Sequence, residues 1–286
     1  MNQDDILKAR FSLNLQGRLK TFYEPTIMGI LNTTPDSFFR GSRKQVADEA
    51  LKATEKMLDD GADIIDMGGY SSRPGAPDVP EEEEKQRLLP ILSSVRKNFP
   101  KAIISVDTFR AGVAEEALNE GGNIINDISA GDADPAMMEL IGQKKPPYIM
   151  MHKQGTPQTM QNNPQYKNVN KEVMLYFAKK VEAMHEKGCR DLILDPGFGF
   201  GKTVDHNYEL LANLNLYKNF KLPLLVGLSR KSMVNKVLET SPEEALNGTT
   251  VLHTLALQQG CDILRVHDVK EAKEAVKLTS FYGKFA

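Results

Sequence analysis

The sequence has only two cysteines, no long hydrophobic run and almost no net charge, and each absence excludes a class of protein. Cys189 and Cys261 lie far apart and match no metal-binding spacing, so we expect reduced thiols rather than a disulfide framework. No apolar run approaches the roughly 20 residues of a membrane helix, and residues 1–11 lack a signal-peptide core, so we expect a cytoplasmic protein. The formal net charge of -2 provides no overall positive field for nucleic acid or an anionic membrane.

Eight short apolar runs recur along the chain, separated by segments with helical periodicity. The runs are TIMGIL, DIIDMG, AIISVDT, NIINDIS, YIMMH, DLILDPG, LLVGLSRK and DILRVHD. They are nearly continuous in Ile, Leu, Val and Met, as strands buried on both faces require. Between two of them, Val173, Phe177, Val181 and Met184 recur at spacings of three and four, which predicts a helix. Strict alternation of strand and helix predicts a parallel sheet with right-handed crossovers.

The 286 residues suit one large α/β domain, because eight-stranded barrels commonly have about 250 residues. We therefore predict a (β/α)8 TIM barrel over residues 26–286, preceded by an N-terminal extension of residues 1–25 that covers the barrel bottom. Gly61, Gly121, Gly188 and Gly260 each fall between a helical segment and the next strand, where glycine commonly ends a helix.

Seven of the eight runs end in a polar or charged residue. These residues are Asn32, Asp107, Asn126, His152, Asp195, Ser229 with Lys231, and Arg265 with His267. The second run leads instead into a loop that carries Arg73. Catalytic groups of a (β/α)8 barrel lie at the carboxyl ends of its strands, so the pattern predicts both the fold and the members of its site.

The segments around these residues resemble the dihydropteroate synthase family over nearly the whole chain. The matching segments are GILNTTPDSF, GGYSSRPGA, SVDT, NDIS, MMHKQGTPQTMQ, LDPGFGFGKTVDHN, GLSRKS and RVHDV. The resemblance implies a transferase that joins 6-hydroxymethyl-7,8-dihydropterin pyrophosphate to 4-aminobenzoate and releases pyrophosphate. It also implies that sulfonamides bind, and that the chain forms a homodimer through late helices, including residues 249–257.

The resemblance assigns a role to each candidate residue. The pterin-binding set is Asp107, Asn126, Met151, Asp195, Phe200 and Lys231. The pyrophosphate-binding set is Asn32, Arg73, Arg265 and His267, with Asn32 also a ligand of Mg2+. The aminobenzoate-binding set is Thr34, Phe38, Ser72, Pro74 and Ser232. The catalytic residues are Asp107, Asp195, Lys231 and Arg265. Since Arg265 and Asn32 are expected at a solvent-facing mouth, replacing either with alanine should lower turnover far more than stability.

Each assignment has a structural alternative. Asp107 and Asp195 could cap the helices that follow them, and Asn32 could begin an Asx turn. We interpret His152 as a buried core histidine rather than a catalytic one. Phe198 and Phe200 could belong to the core. The glycine-rich turn ending at Lys202 lacks the spacing of a Walker motif, which argues against nucleotide hydrolysis.

Two other functions share the barrel and the pterin set, and the sequence departs from the usual family pattern in a few places. The alternatives are a folate-dependent methyltransferase and a non-catalytic pterin-binding homologue. The family commonly has Glu-Ser-Thr-Arg-Pro where this chain has Tyr70-Ser-Ser-Arg-Pro, and an acid is replaced by two cations near Arg40 and Arg43. These changes leave the pterin set intact and fall in the substrate loops.

Overall fold

The computed structural model describes residues 9–33, 43–71, 78–155, 160 and 164–285, with side chains from residue 45 onward in the second range. Ten strands are described. Their bounds are β1 Phe11–Leu15, β2 Arg18–Phe22, β3 Thr26–Asn32, β4 Ile64–Gly68, β5 Ile103–Asp107, β6 Ile124–Asp127, β7 Tyr148–Met151, β8 Leu192–Asp195, β9 Leu225–Val226 and β10 Ile263–Val266. Strands β3 to β10 correspond to the eight apolar runs, so the strand prediction is confirmed.

Helices follow these strands in turn and surround the barrel. Their bounds are α1 Arg43–Asp59, α2 Glu81–Asn98, α3 Ala111–Asn119, α4 Pro135–Lys144, α5 Val169–Glu186, α6 Val204–Ala212, α7 Ser232–Leu238, α8 Leu246–Gln258 and α9 Val269–Tyr282, with a 3-10 helix at Leu214–Phe220. The four glycines predicted at helix ends all have positive φ, from 77° to 100°. Among the described residues, no helix is long and apolar enough to cross a membrane.

The eight strands are hydrogen-bonded in the order β8-β7-β6-β5-β4-β3-β10-β9, and every pairing in this sheet is parallel. A parallel bridge between Leu194 and Leu224 joins the two ends of the sheet. The sheet is therefore a barrel whose strand carboxyl ends all lie at one mouth, as predicted.

The amino ends of the strands form an apolar layer inside the barrel, which we call the floor. The floor consists of Met28, Ile64, Ile103, Ile124, Ile149, Ile193, Leu225 and Ile263. Strands β1 and β2 form an antiparallel hairpin whose Phe11, Leu13 and Phe22 pack in the same cluster. Residues of the N-terminal extension thus cover the barrel bottom.

Two residues further along each strand, the barrel interior becomes polar. Because side chains alternate along a strand, these positions face inward like the floor. We call them the polar layer, and they are Ile30, Asp66, Ser105, Asn126, Met151, Asp195, Gly227 and Arg265. Asn32 and Asp107 lie one inward step nearer the mouth. The fold therefore brings the predicted residues from separate strands to two adjacent levels of the barrel interior.

Candidate active site

Arg265 lies at the centre of the polar layer and connects two carboxylates. Its Nε donates to Asp66 Oδ2 at 2.6 Å, and its Nη2 donates to Asp107 Oδ2 at 2.6 Å. Asn126 Nδ2 donates to the same Asp66 oxygen at 3.1 Å. Three predicted site residues from β5, β6 and β10 are thus joined through one hydrogen-bonded network.

Asp66 is a member of this network that the sequence reasoning missed. Its side chain is completely buried on β4, inside the run DIIDMG. The site residues predicted from the sequence stand at or just after the ends of the runs or in the loops that follow, whereas Asp66 lies within a run. The available signal was a charge in a strand buried on both faces, because a buried carboxylate requires a partner.

Asp195 ends β8 and enters a turn that only glycine can form. Gly197, Gly199 and Gly201 all have positive φ, from 64° to 82°. A Cβ on Gly197 would lie 1.9 Å from the His152 carbonyl oxygen, and one on Gly201 would lie 2.3 Å from that of Gln154. The turn therefore packs directly on the connection after β7, and it returns the Gly197 N–H to Asp195 Oδ1 at 2.8 Å.

Lys202 fixes this glycine turn from inside. Its buried Nζ donates to the carbonyl oxygens of Gly197 at 2.9 Å and Phe200 at 3.1 Å, and contacts His152 Nδ1 at 3.1 Å. Burial lowers the pKa of His152 to about 3, with the charge of Lys202 acting in the same direction. The neutral ring can therefore accept from Lys202, and the interpretation of His152 as a buried, hydrogen-bonded residue is confirmed.

Lys231 reaches the site from the loop after β9. Its Nζ donates to the carbonyl oxygen of Phe198 and lies 4.8 Å from the centroid of the Phe200 ring. The residue before it, Arg230, has a positive φ of 55° and is held by two hydrogen bonds to Asp268 at 2.9 and 2.7 Å. Lys231 is therefore positioned by its backbone and directed at the glycine turn.

The apolar members of the predicted pterin set have different surroundings. Met151 is 3% exposed in the polar layer, at the position on β7 that pairs with Asp195. Phe200 is partly exposed beneath Lys231, whereas Phe198 is completely buried in the main core. Phe200 thus keeps an exposed surface beside Lys231, and the core interpretation holds for Phe198.

The remaining predicted groups lie at the mouth. Asn32 ends β3 and is half-buried, and Ser232 is exposed at the start of α7. His267 is exposed after β10, and its Nδ1 lies 3.0 Å from Ser229 Oγ. Among the described residues, no group of three or more His, Cys, Asp or Glu side chains could hold a metal ion.

The five other predicted residues, Thr34, Phe38, Ser72, Arg73 and Pro74, lie outside the described part of the chain, as do Arg40 and residues 156–159 and 161–163. At the edge of one of these gaps, Tyr70 is buried and packs edge-on against Phe109, with Arg110 over its ring. Arg110 is held by the buried Glu84. Tyr70, which departs from the family pattern, is therefore packed between an aromatic ring and a guanidinium group.

Helix capping does not account for the two aspartates. Helix α3 begins after Arg110, and Asp134, not Asp107, accepts from the first N–H of that helix at 2.7 Å. Helix α6 is capped by Thr203 in a capping box with His206. Asp107 and Asp195 are thus directed into the barrel rather than at helix ends.

Burial in the site favours the uncharged forms of its carboxyl and amino groups. It raises the pKa of Asp107 to about 7 against the opposing charge of Arg265, and it raises the pKa of Asp195 against that of Lys231. It lowers the pKa of Lys231 to about 8, opposed by Asp195. Burial alone would lower the pKa of Arg265, but Asp66 and Asp107 outweigh it. Such a site can bind a polar ring and stabilise charges of either sign.

Comparisons with known proteins agree with this geometry. Residues 28–267 match the model of a family described as pterin binding enzyme. Dihydropteroate synthase of Escherichia coli (strain K12) is 44% identical over 92% of this chain and 93% of its own length. Two solved structures show the same fold. The Yersinia pestis dihydropteroate synthase in complex with a sulfonamide drug is 40% identical, with a TM-score of 0.90 over 96% of this chain and 100% of that one.

The second structure is the Xanthomonas albilineans dihydropteroate synthase with 4-aminobenzoic acid. It is 34% identical, with a TM-score of 0.89 over 96% of this chain and 99% of that one. Identity at this level across nearly the full length is far above what a shared barrel alone would give. The chain belongs to the dihydropteroate synthase family of pterin-binding enzymes.

Proposed function

We propose that this transferase of folate synthesis joins 6-hydroxymethyl-7,8-dihydropterin pyrophosphate to 4-aminobenzoate, giving 7,8-dihydropteroate and pyrophosphate. The observation that carries the proposal is the polar layer above the apolar floor. Asn126 and Asp195 in this layer, with Asp107 one inward step above it, face the barrel interior and supply the donors and acceptors that the flat polar edge of a pterin requires. Lys231 adds a donor, and Met151 and Phe200 add apolar surface.

The reaction proceeds by departure of the leaving group followed by attack of the amine. The bond between the pterin methylene carbon and the pyrophosphate oxygen breaks, and its electron pair leaves with pyrophosphate. Arg265, His267 and Arg73 stabilise that negative charge, which grows only as the bond breaks. The carboxylates of Asp107 and Asp195 stabilise the cation left on the pterin. The aminobenzoate nitrogen then donates its lone pair to the methylene carbon and releases a proton to solvent.

Asn32 supports a role for Mg2+ in binding the pyrophosphate. Its half-buried amide lies at the mouth, where a carboxamide oxygen can serve as one ligand. Mg2+ commonly takes few protein ligands and completes its shell with substrate phosphate oxygens and water, so the absence of an acidic cluster among the described residues fits this mode. A bound Mg2+ would neutralise charge on the pyrophosphate.

The aminobenzoate is expected to lie nearer the mouth than the pterin. Exposed Ser232, at the first position of α7, can receive its carboxylate, and Thr34, Phe38, Ser72 and Pro74 are proposed to complete the subsite. Sulfonamides resemble this substrate and are expected to bind in the same place.

The proposal is tested by pyrophosphate release from the purified protein with the dihydropterin pyrophosphate and Mg2+, with and without 4-aminobenzoate. We expect release that depends on aminobenzoate and is matched by dihydropteroate formation. Tight pterin binding without release would instead indicate a non-catalytic homologue, and neither binding nor release would contradict both.

We further propose that the protein is cytoplasmic and forms a homodimer through α8 and α9. Exposed apolar side chains cluster on these two packed helices: Val251 and Leu255 on α8, and Leu278, Phe281 and Tyr282 on α9. Such a surface favours contact with a second copy. Leu278→Glu should shift the protein to monomers in sedimentation velocity, whereas Leu19→Glu on the hairpin should not, although both leucines are more than 70% exposed. A monomeric wild-type protein at micromolar concentration would contradict the dimer.

A further inference from the structure

Asp66 occupies a position where nothing in the packing requires a charge. Other members of the polar layer include Ile30 and Met151, so an apolar side chain can fill such a position. Burying an unpaired carboxylate costs several kcal/mol, on the order of the stability of a domain. The described contacts of Asp66 are bonds to Arg265 and Asn126, both members of the proposed site.

The geometry gives Asp66 a different relation to Arg265 than Asp107 has. The Asp66 side chain is completely buried and accepts a hydrogen bond from Arg265 Nε, the guanidinium nitrogen nearest the backbone. The Asp107 side chain is 15% exposed and receives Nη2, a terminal nitrogen. The guanidinium is a rigid planar fork with five N–H donors, so the bond from Nε to Asp66 fixes the orientation of the fork, and the terminal nitrogens can take a different acceptor without moving it.

We infer that Asp66 is a positioning residue that holds Arg265 by Nε and leaves its terminal nitrogens free to exchange Asp107 for the pyrophosphate. This inference rests on the proposed function, in which Asp107 binds the pterin. When the pterin N–H groups occupy the Asp107 carboxylate, Nη2 loses that partner and becomes a donor for the leaving group. The same Asp66 oxygen also accepts a hydrogen bond from Asn126, so one carboxylate positions both Arg265 and the amide proposed to bind the pterin.

Asp66 also retains one free acceptor for this role. Its Oδ1 is buried and has no hydrogen-bond partner among the described residues, and the same is true of Ser105 Oγ on the adjacent strand. All the described bonds of the carboxylate therefore pass through one oxygen to the two site residues.

The inference is tested by a double-mutant cycle of Asp66→Asn and Arg265→Lys, read out as the dissociation constant of inorganic pyrophosphate with Mg2+ by calorimetry. If Asp66 acts through Arg265, each single variant should weaken binding by about tenfold, and the double variant should be little weaker than either, because coupled residues are non-additive. Ser105→Ala is the matched control, since it alters the same buried layer on the next strand without a described bond to a site residue.

Kinetics provide a second measurement on the same variants. Asp66→Asn should lower kcat by about ten- to a hundredfold and leave the KM for 4-aminobenzoate unchanged. This loss is smaller than the roughly hundred- to thousandfold for losing a donor to developing charge outright, because Arg265 is displaced rather than removed. If Asp66→Asn does not fold, Asp66→Glu retains the charge but displaces it by one methylene, and it should show the same loss of kcat. Additive effects on pyrophosphate binding, or wild-type kcat in both Asp66 variants, would overturn the inference.

A wild-type protein that binds pyrophosphate but forms no dihydropteroate would contradict the proposed function alone, since the binding cycle still decides the role of Asp66.

Discussion

The floor and the polar layer are built from the same eight strands, two residues apart, and differ in almost every other respect. On β8 the floor residue is Ile193 and the polar-layer residue is Asp195; on β4 they are Ile64 and Asp66. The floor is sealed by the hairpin, while the polar layer opens to the mouth. The residues that stabilise the barrel and the residues proposed to carry out its chemistry therefore lie at different depths, with about 6.6 Å of strand between the two layers.

The most severe way to break this separation is to place a charge in the floor. Ile193→Asp should prevent folding, because an unpaired buried carboxylate costs several kcal/mol against a total stability of about 5–15 kcal/mol. Soluble expression and urea unfolding provide the measurement. The control Ile193→Val should lose only about 1 kcal/mol and retain activity. A well-folded aspartate variant would show that the floor admits water.

Arg265→Ala, which removes the positive charge of the polar layer, should lower the free energy of unfolding as well as turnover. The sequence led us to expect that Arg265→Ala would mainly lower turnover, but its Nε bonds to a completely buried carboxylate. Leaving Asp66 buried without its cation, with the bond from Asn126 as its remaining described contact, should cost about 3–5 kcal/mol in urea unfolding. Adding Asp66→Asn should recover much of that stability without restoring turnover. Unchanged stability in Arg265→Ala would show that water reaches Asp66.

A polar substitution within the polar layer should spare the fold. Asp195→Asn keeps the shape and an acceptor for the Gly197 N–H but loses the negative charge. Turnover should fall by about a hundredfold, since a charge that stabilises the transition state is removed. The melting temperature should change little, in contrast to Ile193→Asp two residues away on the same strand. Substantial residual turnover would contradict the proposed role of Asp195.

The smallest effect is expected from pH. In the proposed binding mode Asp107 must be ionised to accept from the pterin and Lys231 must be protonated to donate. Burial raises the pKa of Asp107 to about 7 and lowers that of Lys231 to about 8. Affinity for the unphosphorylated dihydropterin, which lacks the ionising pyrophosphate, should therefore fall below the lower value and above the upper one, by about tenfold per unit on each side.

Lys231→Arg isolates the alkaline side of that profile, because arginine stays protonated throughout the range. The decline above pH 8 should disappear while the acidic decline remains. An alkaline decline that persists in this variant would assign it to another group.

The sequence predicted those parts of the molecule that depend on local pattern. The eight barrel strands and the polar residues at their ends follow from the apolar runs, because a parallel barrel places all carboxyl ends at one mouth. Asp66 could not be found at a run end, and its importance depends on Arg265 from a strand 199 residues further along the chain. Spacing alone does not show that pairing.

Other features depended on tertiary contacts in the same way. Lys202 appeared in the sequence only as the end of a glycine turn, and its role becomes visible when His152 comes within 3.1 Å. The strands of the N-terminal hairpin were not predicted as strands, although Gln16 and Gly17 form the turn between two alternating segments. The assignments of Asn32, Ser232 and His267 to individual substrates remain predictions, since they depend on ligands.

The hairpin at the barrel bottom also determines how substrates and products move. With Phe11, Leu13 and Phe22 packed across the amino ends of the strands, that end is closed by apolar side chains, and we expect traffic to pass through the mouth. A pterin bound at the level of Asp195 then lies beneath anything bound beside Ser232. In the proposed binding mode we therefore expect the pterin to enter before the aminobenzoate, and the joined product to leave whole through the same opening.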